Sequence, residues 1–319
     1  MDKPTYTIPQ RVSHRKGFAL ILTLSVLAVI IALTGVLIGY LDNVRRDATY
    51  TKALIQGDLY YSDLKQMLDK KFKKNRKGLY TQLYQTAIPL ASEDGRFSVM
   101  VHCRPLANGV NINWMGLGND QQMQEQYTSA QKVFESIVQS YGLEDATRLQ
   151  DMILEEIGKP DETSVQREQS RLRQKNGIIS FRQFEAILQR YQFEADDPKV
   201  SRVPWKKFFV FNEIKKDKKG KVVTGDRIDG DYISPELISL LFDIDLATVK
   251  EEWIESEMKL KTFVQNMGEG DKYSPKLFTK EFLPMSWCEI VYGYGGERFM
   301  FRFVDIQGEV KNFEFYGKQ

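Results

Sequence analysis

This 319-residue chain has almost none of the residues that common catalytic chemistries need. It holds two histidines and two cysteines. His14 and His102 are far apart, and no His-Glu-x-x-His, Gly-x-Ser-x-Gly, phosphate-binding glycine–lysine loop or Cys-x-x-Cys occurs. The usual signatures of zinc peptidases, serine hydrolases, nucleotide-binding enzymes and thiol redox proteins are therefore missing. Tyr292-Gly293-Tyr294-Gly295-Gly296 lacks the spacing of a dinucleotide fingerprint and reads as a loop. His102 and Cys103 are neighbours in a strand-like run, so their side chains point to opposite faces and are poorly placed to meet. Carboxylates are plentiful, but no spacing singles out an acid/base pair.

Charge and proline are missing from one place in particular. Phe18 to Leu41 is 24 residues without a charge or a proline, and no proline occurs between Pro9 and Pro89. As a helix this segment spans about 36 Å, enough to cross a bilayer core of about 30 Å with some tilt. It is too long for a secretory signal, and Gly39-Tyr40-Leu41-Asp42 is a poor cleavage site. A plain signal anchor fits the hydropathy. Four Lys/Arg precede the helix, and Arg45, Arg46 and Lys52 follow, which mildly favours a cytoplasmic N-terminus.

The residues before the apolar stretch point further. Arg15-Lys16-Gly17 followed by Phe18-Ala19-Leu20-Ile21-Leu22 resembles the class III leader of type IV pilins and pseudopilins. That resemblance implies cleavage after Gly17 by a prepilin peptidase and N-methylation of Phe18 as the mature N-terminus. It also exposes a departure. The fifth mature residue of the family is usually Glu, and here it is Leu22. A carboxylate at that depth costs on the order of 2.5–3.5 kcal/mol and persists only with a partner. In the family the partner is the amine of the subunit ahead, which a tip subunit lacks. Absence of this Glu is similar to the K-type minor pseudopilins of type II secretion systems. Gly35-x-x-x-Gly39 offers a flat surface to a neighbouring helix.

The rest of the chain reads as α+β. Composition is 42% hydrophobic and 12% aromatic, enough for a folded core. The net charge of +2 falls to about −1 once the leader is removed, which gives no support for nucleic-acid binding. Tyr50, Leu54, Tyr61, Leu64, Leu68 and Phe72 lay one apolar stripe along a helix expected to run to about Lys74, where Asn75 and Gly78 stop it. Strand-like residues follow from Phe97 to Cys103, with turns at Asp94-Gly95 and Asn108-Gly109 and an alternating Val110-Asn111-Ile112-Asn113. The last run is similar to a short Asn-rich strand segment of K-type pseudopilins.

Residues 121–204 show three amphipathic helical faces. These are Val133/Phe134/Ile137, Leu149/Met152/Ile153/Ile157, and Phe181/Phe184/Ile187/Leu188/Tyr191 capped by Ser180. Residues 205–319 return to β structure. Phe208–Phe211 and Val222-Val223 flank the turn Asp217–Gly220, and a helix near 234–256 opens at Ser234-Pro235-Glu236. A closing antiparallel sheet runs through Trp287–Tyr292, Phe299–Val304 and Val310–Phe315, with Gln307-Gly308 at the last turn.

Cys103 and Cys288 both fall in strand-like runs. An oxidising compartment permits a bridge; two buried free thiols are the alternative. Asp226, Asp229 and Asp231, with Glu236 nearby, form an acidic loop. Hard oxygen ligands of this kind suit calcium, and a solvated turn before a helix is the alternative. The K-type resemblance favours calcium, although the pattern is no EF-hand; no other cofactor is implied.

The resemblance thus implies an ordered plan: leader 1–17, transmembrane helix 18–41, pilin-like helix and first strands 42–120, helical insert 121–204, and returning β part 205–319. The long N-terminal helix would pack on an antiparallel sheet. It implies a non-enzymatic tip subunit of the type II secretion pseudopilus, in the inner membrane with a periplasmic C-terminal domain. Its partners would be other minor pseudopilins, the major pseudopilin, the prepilin peptidase and the inner-membrane secretion platform, with no nucleic acid. A minor pilin of a type IV pilus or competence system, or a plain anchored periplasmic binding or scaffold protein, is the alternative. A membrane-anchored hydrolase is disfavoured by the missing motifs.

Overall fold

The computed structural model describes residues 15–70, 75–91, 98–158, 177–216, 222–294, 296–306 and 309–318. One helix, α1 (Arg15–Lys70), runs unbroken for 56 residues, or about 84 Å. Its first half is exposed on all sides: the most apolar 18-residue window is 0% buried. Its second half docks on a five-stranded antiparallel sheet in the order β1-β2-β7-β8-β9. These strands are β1 (Ile88–Ala91), β2 (Ser98–Pro105), β7 (Met285–Tyr294), β8 (Glu297–Ile306) and β9 (Glu309–Lys318). The numbering already shows that a large piece of chain enters between β2 and β7.

Period-2 alternation builds the buried face of the sheet. Val99, Val101 and Cys103 of β2, Cys288, Ile290 and Tyr292 of β7, and Phe299, Phe301 and Phe303 of β8 point toward the helix. From α1 they meet Ala53, Leu64 and Leu68. The docked stripe differs from the expected one at its start. Tyr50 and Leu54 stay 48% and 37% exposed, while Ala53 is fully buried. The reason is a close approach: the Tyr292 hydroxyl donates to the Ala53 carbonyl at 2.5 Å. A Cβ on Gly57 would lie 2.7 Å from that hydroxyl. Small residues, not large ones, mark where helix and sheet come nearest. Farther along, the Tyr61 ring packs on Phe303 and Phe313 with centroids 5.8 and 5.0 Å away. Phe72 and the expected helix end at Lys74 lie outside the described residues.

A second helix, α2 (Arg76–Gln85), begins where a stop was expected. Gly78 is inside it rather than ending α1. The helix buries Tyr80 and Leu83 against the sheet. The Tyr80 hydroxyl donates to the fully buried Asp305 carboxylate, which also takes an ion pair from Arg76 at 3.2 Å.

Most of the described residues between β2 and β7 form a second body with its own core. It contains β3 (Val110–Asn111), α3 (Gln124–Tyr141), α4 (Ala146–Ile157), α5 (Phe181–Ala195), β4 (Phe209–Val210), β5 (Lys215–Lys216), β6 (Val222–Thr224), α6 (Pro235–Phe242), α7 (Leu246–Glu252) and α8 (Leu260–Asn266). The three predicted amphipathic faces are buried here on α3, α4 and α5. The hydroxyls of Ser180 and Ser234 cap α5 and α6 as their positions imply.

The insert is larger than 121–204. Trp205, Phe208, Val222, Leu237, Phe263 and Phe278 share its core rather than the sheet's, so only the strands from Met285 onward return. Hydrophobic pattern identifies a buried face but not which of two cores receives it. Asn108-Gly109 is likewise no hairpin. β3 pairs parallel with β4, and a Cβ on Gly109 would sit 3.0 Å from the Phe208 carbonyl. Ile112 to Gly116 is a 3-10 turn, not a continuing strand. The turns at Asp94-Gly95, Asp217–Gly220 and Gln307-Gly308 lie outside the described residues, wholly or for the most part. Tyr292 to Tyr294 completes β7 instead of forming a loop.

The close approach at Gly57 yields a direct test. Gly57→Leu should lower the unfolding free energy by about 1–3 kcal/mol through overpacking against Tyr292 and Phe301. Gly39→Leu, with nothing within 4 Å of the added Cβ, should leave it unchanged. Chemical denaturation of the detergent-solubilised chain reads both.

Candidate functional site

The apolar half of α1 is the first candidate. Gly17 and Phe18 lie in its opening turns, which begin at Arg15; leader residues 1–14 lie outside the described residues. Leu22 is 55% exposed, as are its apolar neighbours, so nothing in this chain covers the position. The first carboxylate after Lys16 is Asp42, already bonded to Arg46 at 3.1 Å one turn on. The whole stretch before it is free of charge. Gly35 and Gly39 both face open space. This is one helix long and apolar enough to cross a membrane.

The direction of α1 along the sheet fixes the second feature. Tyr50 stacks edge-on to Phe315 near the end of β9. Gly57 meets Tyr292, Tyr61 meets Phe303, and Leu64 and Leu68 line a small apolar cavity with Cys103 and Cys288. The helix therefore travels from the Tyr292 end of the sheet to the cysteine end. The insert leaves the sheet at the cysteine end, farthest from the apolar span.

That exit is closed covalently. Cys103 and Cys288 sit opposite each other in the β2–β7 register and form a disulfide across 185 residues of sequence. Both are 1% exposed. The bridge leaves Cys103 no thiol for His102, whose side chain faces the other side of the sheet. Hydrogen bonds reinforce the neck. Leu106 N–H donates to the Met285 carbonyl at 2.9 Å, and Asp229 N–H to the Ala107 carbonyl at 2.7 Å. The Asp229 carboxylate accepts from Leu283 N–H at 2.9 Å. Asp229 thus grips both the entering and the leaving strand of the insert. α2 wedges in beside it: Thr81 and Tyr232 share a hydrogen bond of 2.6 Å, and the Tyr84 ring meets Tyr232 edge-on at 5.1 Å.

The acidic quartet does not fit a calcium site. Asp231 is held by Lys259 and, at 3.4 Å, by Lys77. Glu236 is held by Lys207 at 2.6 Å and Lys250 at 3.6 Å. Asp226 lies 3.5 Å from Arg227, and Asp229 is committed to backbone N–H groups. Among the described residues no three His, Cys, Asp or Glu side chains gather as a metal would need. Lysine ammonium groups already neutralise Asp231 and Glu236, and sequence proximity hid those distant lysines. Burial pushes the Asp229 carboxyl up to about 6, against the lowering effect of the Leu283 N–H.

A cluster missed from sequence lies inside the insert. Asn111 and Asn113 are 1% and 4% exposed. Asn111 Nδ2 donates to the carbonyls of Asn212 and Gly225 at 2.9 and 3.3 Å. Asn113 bonds both backbone groups of Ile178 at 2.8 Å. The Trp114 indole N–H reaches Gly225 at 2.6 Å. Two asparagines between apolar residues were the visible signal: such buried amides must find several partners. Here they clip three distant loops together.

No family model matches the chain, and no curated protein matches it. A chain of the solved GspK-GspI-GspJ complex from the enterotoxigenic Escherichia coli type 2 secretion system covers 84% of this chain and 99% of its own length. The identity is 12% and the TM-score 0.43. The structural neighbour is a secretion-system complex.

Two measurements test the neck. Replacing Cys103 and Cys288 together by Ser should lower the unfolding free energy by about 2–5 kcal/mol, read by denaturant titration under oxidising conditions. Asp229 supplies a pH signature. Its folded value lies above the unfolded one near 3.9, so its contribution is full below about pH 4 and lost as pH rises through about 6. Wild type should therefore lose roughly 2–3 kcal/mol relative to Asp229→Asn between pH 4 and pH 7. A difference that stays flat across that window contradicts the burial of an ionisable clasp.

Proposed function

We propose that this chain is a K-type minor pseudopilin, a non-enzymatic subunit at the tip of a type II secretion pseudopilus. The observation that carries the reading is the placement of the insert. α1 leaves an uncharged span at one end and ends under the cysteine neck, so the second body projects from the side away from the span. A body there would block a further subunit from stacking above while leaving the span free below.

The uncharged span supplies the matching half of the mechanism. After cleavage behind Gly17, the helix starting at Phe18 would stay in the inner membrane until assembly. With Leu22 in place of a carboxylate, it has no buried charge that needs the amine of a subunit ahead. It would then leave the lipid by packing on neighbouring helices, with Gly35 and Gly39 as the flat contact. The other minor pseudopilins, the major pseudopilin and the inner-membrane platform would be its partners, and the C-terminal body would lie in the periplasm. A plain anchored periplasmic protein is the alternative that the carboxylate-free span equally suits.

Mass spectrometry of the mature N-terminus separates them. The pseudopilin reading expects a chain that begins at N-methylated Phe18 in cells with a prepilin peptidase, and a full-length chain when that peptidase is deleted. Residues 1–17 retained in the presence of active peptidase would overturn it and leave a tethered domain.

A further inference from the structure

The sheet has a second face, turned away from α1 and α2, and neither hydrophobic core includes it. Strand register orders its side chains in rows. Arg104, Trp287 and Val304 form one row, and His102, Glu289 and Arg302 the next. Met100, Val291 and Met300 form a third, and Arg298 opposite Gly293 a fourth. An antiparallel sheet can leave one face in water, but such a face is then polar. This one carries half-buried Trp287, Val291 and Val304 beside Met100, which is 43% exposed, while Met300 is buried.

Its charges are unevenly matched. Arg302 is satisfied: Glu289 takes both its Nε and an Nη at 3.0 and 2.9 Å. Its guanidinium lies 5.0 Å from the Trp287 ring centre and 4.2 Å from that of Tyr316. Arg104 is different. Its guanidinium lies over the same indole, 5.7 Å from the ring centre. Among the described residues no carboxylate pairs with it, nor with Arg298. Stacking on Trp287 leaves the edge of the Arg104 fork free, and a planar fork held by an aromatic face suits bidentate capture of a carboxylate. Arg104 on β2 and Arg298 on β8 stand three rows apart, about 20 Å along the strands, with the polar His102–Glu289–Arg302 row and the apolar Met100–Val291–Met300 row between them.

We propose that this face binds an extended segment of a partner protein that carries acidic residues about six positions apart and apolar residues between them. The first carboxylate would take Arg104, the apolar centre would lie on Met100 and Val291, and the second carboxylate would take Arg298. Six extended residues span about 20 Å, the separation of the two guanidinium rows. The assignment rests on the sheet alone and holds whether or not the chain is processed as a pseudopilin.

The test uses the full chain in detergent and an acetylated heptapeptide with aspartate at both ends and Leu-Val-Leu at its centre. Isothermal titration should show binding that Arg104→Glu and Arg298→Glu each weaken at least tenfold. A peptide with asparagine at both ends should bind at least tenfold more weakly to the wild type. Both variants lie outside the cores and should melt like wild type. Equal binding of the aspartate and asparagine peptides, or no binding of either, overturns the proposal. So does arginine-dependent binding to anionic phosphatidylglycerol vesicles without peptide binding, which would assign the face to a membrane surface.

Discussion

Cys103 on β2 and Cys288 on β7 stand opposite each other although 185 residues separate them in sequence. The pairing of those two strands is the constraint that organises the molecule. Without it the sheet would split into a β1–β2 pair too small to be stable alone and a β7–β9 meander that carries the aromatic face. A loop of that length has a large closure entropy, on the order of 5 kcal/mol in the chain-entropy description. The disulfide removes that penalty from the folded side of the balance by confining the unfolded chain. The Asp229 bonds to Ala107 and Leu283 hold the same neck without covalent help.

With the neck closed, the two bodies can differ in character. The sheet body is narrow and aromatic, built to receive one helix whose approach is set by Ala53, Gly57 and the Tyr292 hydroxyl. The insert is compact and helical, and its irregular loops are held by buried asparagine side chains rather than by a sheet. α2 joins them, with Tyr80 and Arg76 on Asp305 of the sheet and Thr81 and Tyr84 on Tyr232 of the insert. A body bonded on both sides at the far end of a long helix follows from this arrangement, and the tip reading depends on that placement.

α1 itself has two kinds of surface. Its first half shows apolar side chains in every direction, which only lipid or other helices can cover. Its second half turns a narrow stripe to the sheet and carries charged and polar residues elsewhere, with Ile55 and Leu59 exposed among them. The change occurs near Asp42 and Arg46, the first charges after the span.

Much of this was legible in the residues. The uncharged span, strands β2 and β7 to β9, helices α3 to α5 and the Ser180 and Ser234 caps all follow from local periodicity and capping chemistry. Gly78 misled, because it lies inside a helix held by Asp305 and Tyr232, whereas Asn75 does stand outside both helices, just before α2. Asn108-Gly109 misled because Gly109 serves a parallel approach to Phe208 instead of a tight turn. The acidic loop misled because Lys77 and Lys259 are remote in sequence from Asp231. Local pattern by itself determined the elements and the uncharged apolar span, since those depend on neighbours within a few residues. Only the tertiary structure decided which core each element joins, where the insert begins and ends, and which charges meet, because burial and charge pairing are settled by residues far apart along the chain.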